Sequence, residues 1–420
     1  MKRWPWTIAL ICAQACTCGD KRAIPDAGGA SPAADAAVAV APAPLSLPIA
    51  AAVASDGAVW VTGYVAERHA VIVERHEGDR VTWVTDVADK VDWAPDMDLR
   101  VFADASGGAA IAMRALRGSE RAREVRFVGR DGKVAGEPLA TGAAVCATKA
   151  GLAWAASGAA KVSARPWAGG AAAELALPAD REPILSCADK QVWVLAEGDD
   201  DVQLYGVPAA NKGAPLKLIR DTSDERERAV FTYGDDGLGV VEVAQSGAMR
   251  YARASAADAP AWKKVAHTFP EDEDVAAVDG DARAVWVLVT RDATARCSGA
   301  EAADDVVVHR LADDGEKELA VAKGACGRDL GPYWVGVLDK ATALAWAERV
   351  PKKAPTDAPI GALGWARVTG DAVEAHETAL SADGLVFAGC NAERCYAVAL
   401  DRAPGTDGMK PGTARVVAFP

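Results

Sequence analysis

Short apolar runs that follow tight turns recur along this chain. In the first, from Asp56 to Val61, a turn leads into Ala58-Val59-Trp60-Val61 without any polar residue. Successive side chains of a strand point to opposite faces, so a run that is apolar at every position predicts a strand covered on both faces. Further apolar segments, such as Ala70 to Val73, are bounded by more turn signals. This density of short strands predicts an all-β fold.

The turn and its apolar strand occur eight times. The residues aligned with Trp60 are Ile111, Trp154, Trp193, Val240, Trp286, Trp346 and Phe387. Their spacing, between 39 and 60 residues, centres on the size of one four-stranded propeller blade. The sequence therefore predicts a single β-propeller over residues 49–420. We expect eight four-stranded blades, or seven if the first or last unit is shared to close the ring.

A turn followed by a Gly-x-x-Trp-Val strand resembles β-propeller repeat proteins, which include secreted bacterial propellers of the sensor and lyase type. The resemblance covers residues 49–420 as a pattern. Trp-Asp dipeptides with Gly-His, a kelch double glycine in register with the repeats and the Asp-box are missing, so the subfamily stays open. The aligned position accepts Ile111, Val240 and Phe387. This tolerance favours a packing role for Trp60 between blades over a stacking surface for a ligand.

Residues 1–18 predict an export signal. The basic pair Lys2-Arg3 precedes a short apolar run from Ile8 to Ala13, which is the order found in signal peptides. A membrane-spanning helix would need about 20 apolar residues. Ala13-Gln14-Ala15-Cys16 resembles a bacterial lipobox, which implies that Cys16 is lipidated. Cys18 is a weaker candidate, and an ordinary cleaved signal peptide or an atypical cytoplasmic start are the alternatives.

Residues 19–48 predict a disordered linker, because they are rich in Ala and Pro and offer little that could pack. Together with the signal, the linker predicts an exported protein of the bacterial cell envelope. We expect a lipid anchor on Cys16 to tether it to a membrane, facing the periplasm or the exterior.

The propeller segment contains six cysteines, and an even number in an exported chain favours disulfide bonds. Cys390 and Cys395 flank a four-residue turn between two strands, which puts them within bonding range. Cys297 and Cys326 lie in two loops of the sixth unit that should emerge at the same end of the blade. The remaining two occupy equivalent places in the first strands of neighbouring units. Buried free thiols are the alternative to the predicted bonds, which are Cys146–Cys187, Cys297–Cys326 and Cys390–Cys395.

Charge and motifs exclude several function classes. The formal net charge of −13 disfavours nucleic acid as a partner. No Gly-x-Ser-x-Gly, phosphate loop or dinucleotide fingerprint is present. The acidic runs Asp199 to Asp201 and Glu271 to Asp274 lack the spacing of a calcium loop, so we expect no metal and no cofactor. The histidines lack metal-ligand spacing and are expected to be solvated: His69, His76, His267, His309 and His376.

Two insertions, Arg291 to Asp304 and Val350 to Leu363, indicate one decorated sector of the ring. The loops between units are expected to be small or apolar, as at Pro183 and Pro332, which disfavours a catalytic cluster. We therefore expect a monomeric, envelope-tethered, non-enzymatic module that binds an envelope protein or a polysaccharide. The alternative is a polysaccharide lyase or glycosidase with its site at the mouth of the central channel. A scaffold without any small ligand is a third hypothesis.

Overall fold

Eight β-sheets follow one another along the chain and form a ring. They are seen in a computed structural model. It describes residues 40–94, 96–104, 106–142, 144–155, 161–167, 172–177, 182–197, 202–208, 215–219, 226–244, 246–255, 261–270, 273–298, 303–338, 341–349, 360–391, 394–402 and 411–419. The predicted signal and the linker up to residue 39 lie outside these ranges, and so does Cys16.

The strands of the first four sheets are arranged in chain order within each sheet. Blade 1 contains β1 (Ser46–Val53), β2 (Val59–Val65), β3 (Ala70–Glu77) and β4 (Arg80–Ala88). Blade 2 contains β5 (Leu99–Ala103), β6 (Ala109–Arg117), β7 (Glu120–Val128) and β8 (Val134–Ala140). Blade 3 contains β9 (Val145–Ala147), β10 (Gly151–Ala155), β11 (Lys161–Pro166) and β12 (Ala173–Ala176). Blade 4 contains β13 (Glu182–Cys187), β14 (Gln191–Glu197), β15 (Val202–Pro208) and β16 (Pro215–Ile219).

The other four sheets continue the same order. Blade 5 contains β17 (Arg226–Tyr233), β18 (Gly237–Ala244), β19 (Ala248–Ala254) and β20 (Ala261–Thr268). Blade 6 contains β21 (Glu273–Gly280), β22 (Ala284–Asp292), β23 (Asp304–Ala312) and β24 (Gly315–Ala322). Blade 7 contains β25 (Asp329–Val337), β26 (Thr342–Arg349), β27 (Ile360–Thr369) and β28 (Ala372–Ala382). Blade 8 has three described strands, β29 (Gly384–Cys390), β30 (Cys395–Arg402) and β31 (Gly412–Phe419).

Neighbouring blades contact each other through their first strands. Contacts join β1 to β5, β9 to β13, β13 to β17, β17 to β21, β21 to β25, β25 to β29, and β29 back to β1. All described pairings within the sheets are antiparallel between strands consecutive in the chain. The predicted all-β propeller is therefore confirmed, with eight blades rather than seven.

The aligned apolar strand is confirmed as the packing element between blades. Trp60, in β2, is fully buried and shares a hydrophobic cluster with Val101 and Ile111 of blade 2. Trp193, in β14, is also fully buried and packs with Leu238 of blade 5. Each of these two side chains thus covers the face of the following blade, as the continuous apolar run predicts.

The eighth unit differs from the sequence alignment. Phe387 aligns with Trp60 of the second strand β2, yet it lies in β29, which contacts the first strands β1 and β25. Its ring stacks on Trp334 of β25 with the centroids 5.9 Å apart. The alignment uses only a turn followed by an apolar strand. This pattern fits a first strand as well as a second when both of its faces are covered.

A strap, residues 40–45, spans the seam between blades 8 and 1. Leu45 and Gly412 exchange two backbone hydrogen bonds of 2.8 and 2.6 Å, which tie the strap to β31. The Ala43 N–H donates to the Glu74 carboxylate at 2.5 Å, and the Val40 N–H donates to the Val81 carbonyl at 3.1 Å. The strap and the start of β1 at Ser46 lie within the segment predicted as linker. They are ordered by these bonds and by the complete burial of Leu45.

Replacing the two buried tryptophans by phenylalanine should have unequal effects on stability. The Trp60 indole N–H is buried without an acceptor among the described residues, whereas that of Trp193 donates to the Asp236 carbonyl at 3.0 Å. Trp193→Phe breaks a hydrogen bond and Trp60→Phe does not. We expect Trp193→Phe to lower the free energy of unfolding by about 1 kcal/mol more than Trp60→Phe in denaturant titrations. An equal or larger loss in Trp60→Phe would contradict this account.

Candidate functional site

The two ends of the ring carry different connections, because successive strands of each antiparallel sheet run in opposite directions. Hairpins joining first to second and third to fourth strands lie at one end, called the turn end here. Connections from second to third strands, and from each blade to the next, lie at the other, called the loop end. Cys297, which follows β22, and Cys326, which lies between β24 and β25, are therefore both at the loop end. They form a disulfide bond with the Cα atoms 5.6 Å apart.

An ion pair reinforces the disulfide-linked loop of blade 6. Arg296 donates two hydrogen bonds to the Asp305 carboxylate at 2.9 and 2.6 Å and a third to the Gly324 carbonyl at 3.2 Å. The Gly324 N–H in turn donates to Asp305 at 3.1 Å. Two segments separated in sequence are thus held together by a bidentate pair as well as a covalent bond. This combination predicts a rigid loop.

Acidic side chains lie around this loop where blades 6 and 7 meet. Asp292 ends β22, Asp304 begins β23 and Asp329 begins β25. Burial raises the pKa of Asp304, and the nearby carboxylates of Asp292 and Asp329 raise it further. Burial also raises the pKa of Tyr333 in β25, with Asp304 adding to the shift, and the Tyr333 hydroxyl is hydrogen-bonded to Thr290. Three carboxyl groups therefore lie close together at the loop end of this seam.

The other predicted disulfide bonds are also present. Cys146 of β9 and Cys187 of β13 join the first strands of blades 3 and 4, with the Cα atoms 5.7 Å apart. Cys390 and Cys395 close the β29–β30 hairpin, with the Cα atoms 3.9 Å apart. Three disulfide bonds indicate an oxidising environment of the kind that exported proteins meet. Among the described residues, no helix is long and apolar enough to cross a membrane.

Two histidines contradict the expectation of solvated side chains. His76 and His309 are both buried in third strands. The His76 Nε2 atom lies 2.9 Å from the Glu74 carboxylate, whose other oxygen holds the strap at Ala43. His69, in contrast, is exposed, and His376 stacks on Trp365 with the ring centroids 4.2 Å apart. Sequence spacing places a residue on a strand, but it does not tell which face a neighbouring blade or strap covers.

The part of the chain that the structure describes contains no cluster suited to a metal ion. No group of three or more His, Cys, Asp or Glu side chains there is arranged to hold a metal ion. Of the two acidic runs, Asp199 to Asp201 and the first two residues of Glu271 to Asp274 lie outside the described ranges. The latter two residues of that run begin β21. The insertion from Val350 also lies outside them up to residue 359.

The sequence analysis did not identify one buried carboxyl group. Asp279, in β21 opposite Trp286, is completely buried. One oxygen accepts the Gly280 N–H at 2.8 Å, and the other has no hydrogen-bond partner among the described residues. Burial raises the pKa of Asp279 to about 8, although the backbone N–H groups of Gly280 and Val337 lower it. The equivalent position holds uncharged residues in other blades, such as Val101 in blade 2 and Ser186 in blade 4. The sequence feature that could have identified Asp279 is therefore an acidic residue at a repeat position that is uncharged in other blades.

The comparisons with known proteins identify the fold and no close relative. No protein-family model matches the sequence, and the search of curated proteins finds no match. Among solved structures, the chain is similar to a prolyl endopeptidase, with a TM-score of 0.52, 12% identity and coverage of 85% of this chain and 55% of that one. It is also similar to oligopeptidase B from Leishmania major, with a TM-score of 0.52, 10% identity and coverage of 86% and 54%. The chain spans about half the length of these peptidases.

These comparisons make the sequence-based functional prediction wrong. It expected an envelope-tethered, non-enzymatic module for proteins or polymers, or else a polysaccharide lyase or glycosidase, whereas the matching propellers belong to peptidases. The argument behind that prediction, that the loops between units are small or apolar, is wrong as well. Pro183 and Pro332 are strand residues of β13 and β25 rather than loop residues. Ionisable groups, including Asp304 and Tyr333, do gather at the loop end.

Asp279→Asn should change how stability depends on pH. Because the pKa of Asp279 is raised to about 8 in the folded state, the unfolded chain releases this proton at lower pH than the folded chain. Between about pH 4 and 8 the carboxyl therefore makes stability fall as pH rises. The neutral asparagine removes this contribution, so the variant should gain free energy of unfolding relative to the wild type from pH 5 to pH 8. Denaturant titrations at several pH values measure this, and a pH-independent difference would contradict it.

Proposed function

We propose that this chain is the propeller component of an exported, peptidase-type assembly. In this assembly the ring controls which peptides reach a catalytic centre carried by another domain or another chain. The loop end faces that catalytic partner. The chain itself contributes position and selection, and the partner contributes the bond-breaking chemistry.

The observation that carries the proposal is the braced, carboxylate-bearing sector of the loop end at blades 6 and 7. The disulfide of Cys297 and Cys326, the Arg296–Asp305 pair and the acidic seam with Tyr333 all lie there. A rigid, charged end suits a surface that must hold a fixed geometry against a partner. The similarity to peptidases that this chain covers to about half of their length supports the choice of partner. In that prolyl endopeptidase, inter-domain dynamics has a role in catalysis and specificity.

The proposed location is the bacterial cell envelope, with the chain tethered by a lipid on Cys16. The sequence around Cys16 and the Ala- and Pro-rich segment behind it support the tether. The three disulfide bonds agree with export.

Site-specific crosslinking in isolated membranes tests the assembly. A photo-reactive amino acid replaces Ala325, an exposed residue of the loop end, or Ala282, an exposed residue at the turn end of the same blade. We expect Ala325 to crosslink to a protein with peptidase activity and Ala282 not to. The wild type should sediment with membranes and Cys16→Ser should not.

Three results would contradict the proposal. One is equal crosslinking at both positions, and a second is crosslinking only to proteins without peptidase activity. The third is peptide hydrolysis by the purified chain itself, because the catalytic centre would then lie within it.

A further inference from the structure

A cleft at the loop end between blades 2 and 3 is lined by three arginines. Arg100 of β5, Arg114 of β6 and Arg123 of β7 border it together with Asp98, and Thr141 lies on the connection to blade 3. It is open to solvent and encloses room for about one water molecule. Three guanidinium groups against one carboxylate leave a formal surplus of two positive charges. This surplus is unusual in a chain whose net charge is −13.

The strand register explains why the three side chains share one face of blade 2. Arg100 pairs with Ala112 in the β5–β6 ladder, and Arg114 pairs with Arg123 in the β6–β7 ladder. Ala112 and Arg114 are two residues apart, so they point to the same face. That face packs against blade 3 through an apolar cluster that includes Phe102. On this face of blade 2, the packed apolar side chains are therefore followed by arginines towards the loop end.

The Arg114–Arg123 pair works against local stability. Like charges directly opposite each other on neighbouring strands are destabilising. Most other blades place small or apolar residues at the equivalent pair. Gly63–Ile72, Val243–Met249 and Val289–Val307 are of this kind, whereas Ala196–Gln203 and Arg349–Ile360 each include one polar residue. Among the described blades, blade 2 alone has two arginines there, and a local conflict of this kind is typical of a functional site.

The three guanidinium groups are not equally neutralised. Arg100 donates to Asp98 at 3.0 Å, and Arg114 contacts Asp96 at 2.9 Å. Asp96 is shared with Arg121, also at 2.9 Å. The Arg123 side chain has neither an ion pair nor a hydrogen bond within the described ranges, and it is half-buried. Because the residue is partly exposed, its guanidinium is accessible to an anion with planar, two-oxygen geometry.

We propose that this cleft is a carboxylate-binding site in which Arg123 is the principal ligand and Arg114 the second. A carboxylate between them would relieve their repulsion and fill the donors of Arg123. Under the proposed function, on which this assignment rests, the carboxylate is the carboxyl terminus of a peptide. The acidic seam of blades 6 and 7 lies four blades away at the same end of an eight-bladed ring, so it faces the cleft across the channel.

Fluorescence anisotropy with short peptides tests the site. The probe is an alanine tetrapeptide with an uncharged coumarin at its amino end and a free carboxylate, and the same peptide with a terminal amide is its control. We expect the acid to bind and the amide to bind at least about tenfold more weakly, as loss of a charge-assisted bond predicts. Arg123→Gln should weaken binding of the acid by about the same factor. Arg130→Gln, which removes the same charge from an exposed position of blade 2, should leave binding unchanged.

Stability and competition separate the possible outcomes. Because Arg123 opposes Arg114, Arg123→Gln should unfold at the same temperature as the wild type or a higher one, so lost binding cannot be ascribed to misfolding.

Equal binding of acid and amide, or undiminished binding of the acid to Arg123→Gln, would overturn the carboxylate site. If acetate displaces the probe as well as an unlabelled tetrapeptide acid does, in an Arg123-dependent way, the carboxylate site stands and the peptide assignment fails. Displacement by inorganic phosphate but not by acetate would overturn the carboxylate assignment.

Discussion

The structure depends on one constraint, which is that each blade has two apolar faces and only its neighbours can cover them. Buried side chains such as Trp60 and Trp193 complete the core of the next blade as much as their own. A linear array would leave two such faces in water, so the sheets close into a ring. The closing seam between blades 8 and 1 carries a hydrophobic cluster that includes Ile49 and Val398, with Leu45 of the strap buried in it. Gly63 permits this approach, since a Cβ atom there would lie 3.2 Å from Leu45 and Ile49.

The proposed sites lie at the ends of the sheets, where packing between blades does not require apolar side chains. The middle of each sheet must be apolar, but its ends reach solvent and can carry charge. The loop end uses this freedom in two sectors. Blades 6 and 7 present carboxylates beside a disulfide-linked loop, and blades 2 and 3 present arginines. The first sector is stiffened covalently and by the Arg296–Asp305 pair. The second retains an unneutralised guanidinium at Arg123, which lowers local stability and provides a site for an anion.

The sequence predicts those features that repeat or that depend on chain connectivity. Trp60 could be identified as a packing residue because its position tolerates other apolar side chains. The partner of Cys297 could be found because alternating strand directions put both loops at one end. Features that depend on contacts between distant segments were missed. The buried His76 contacts Glu74, which also holds the strap, and Phe387 lies in a first strand because ring closure covers β29 on both sides. The Arg114–Arg123 pair becomes visible only once the strand register is known.

Hydrogen exchange in a strap variant tests most directly whether closure of the ring governs its stability. Leu45→Ala removes a fully buried side chain at the seam, and Leu204→Ala removes one from blade 4. Each should cost about 2–5 kcal/mol. The account predicts that Leu45→Ala accelerates amide exchange first in β1 and in β29 to β31, while β13 to β16 stay protected, and that Leu204→Ala does not open this seam. Unchanged exchange at the seam in Leu45→Ala, or equal acceleration in all eight blades, would contradict it.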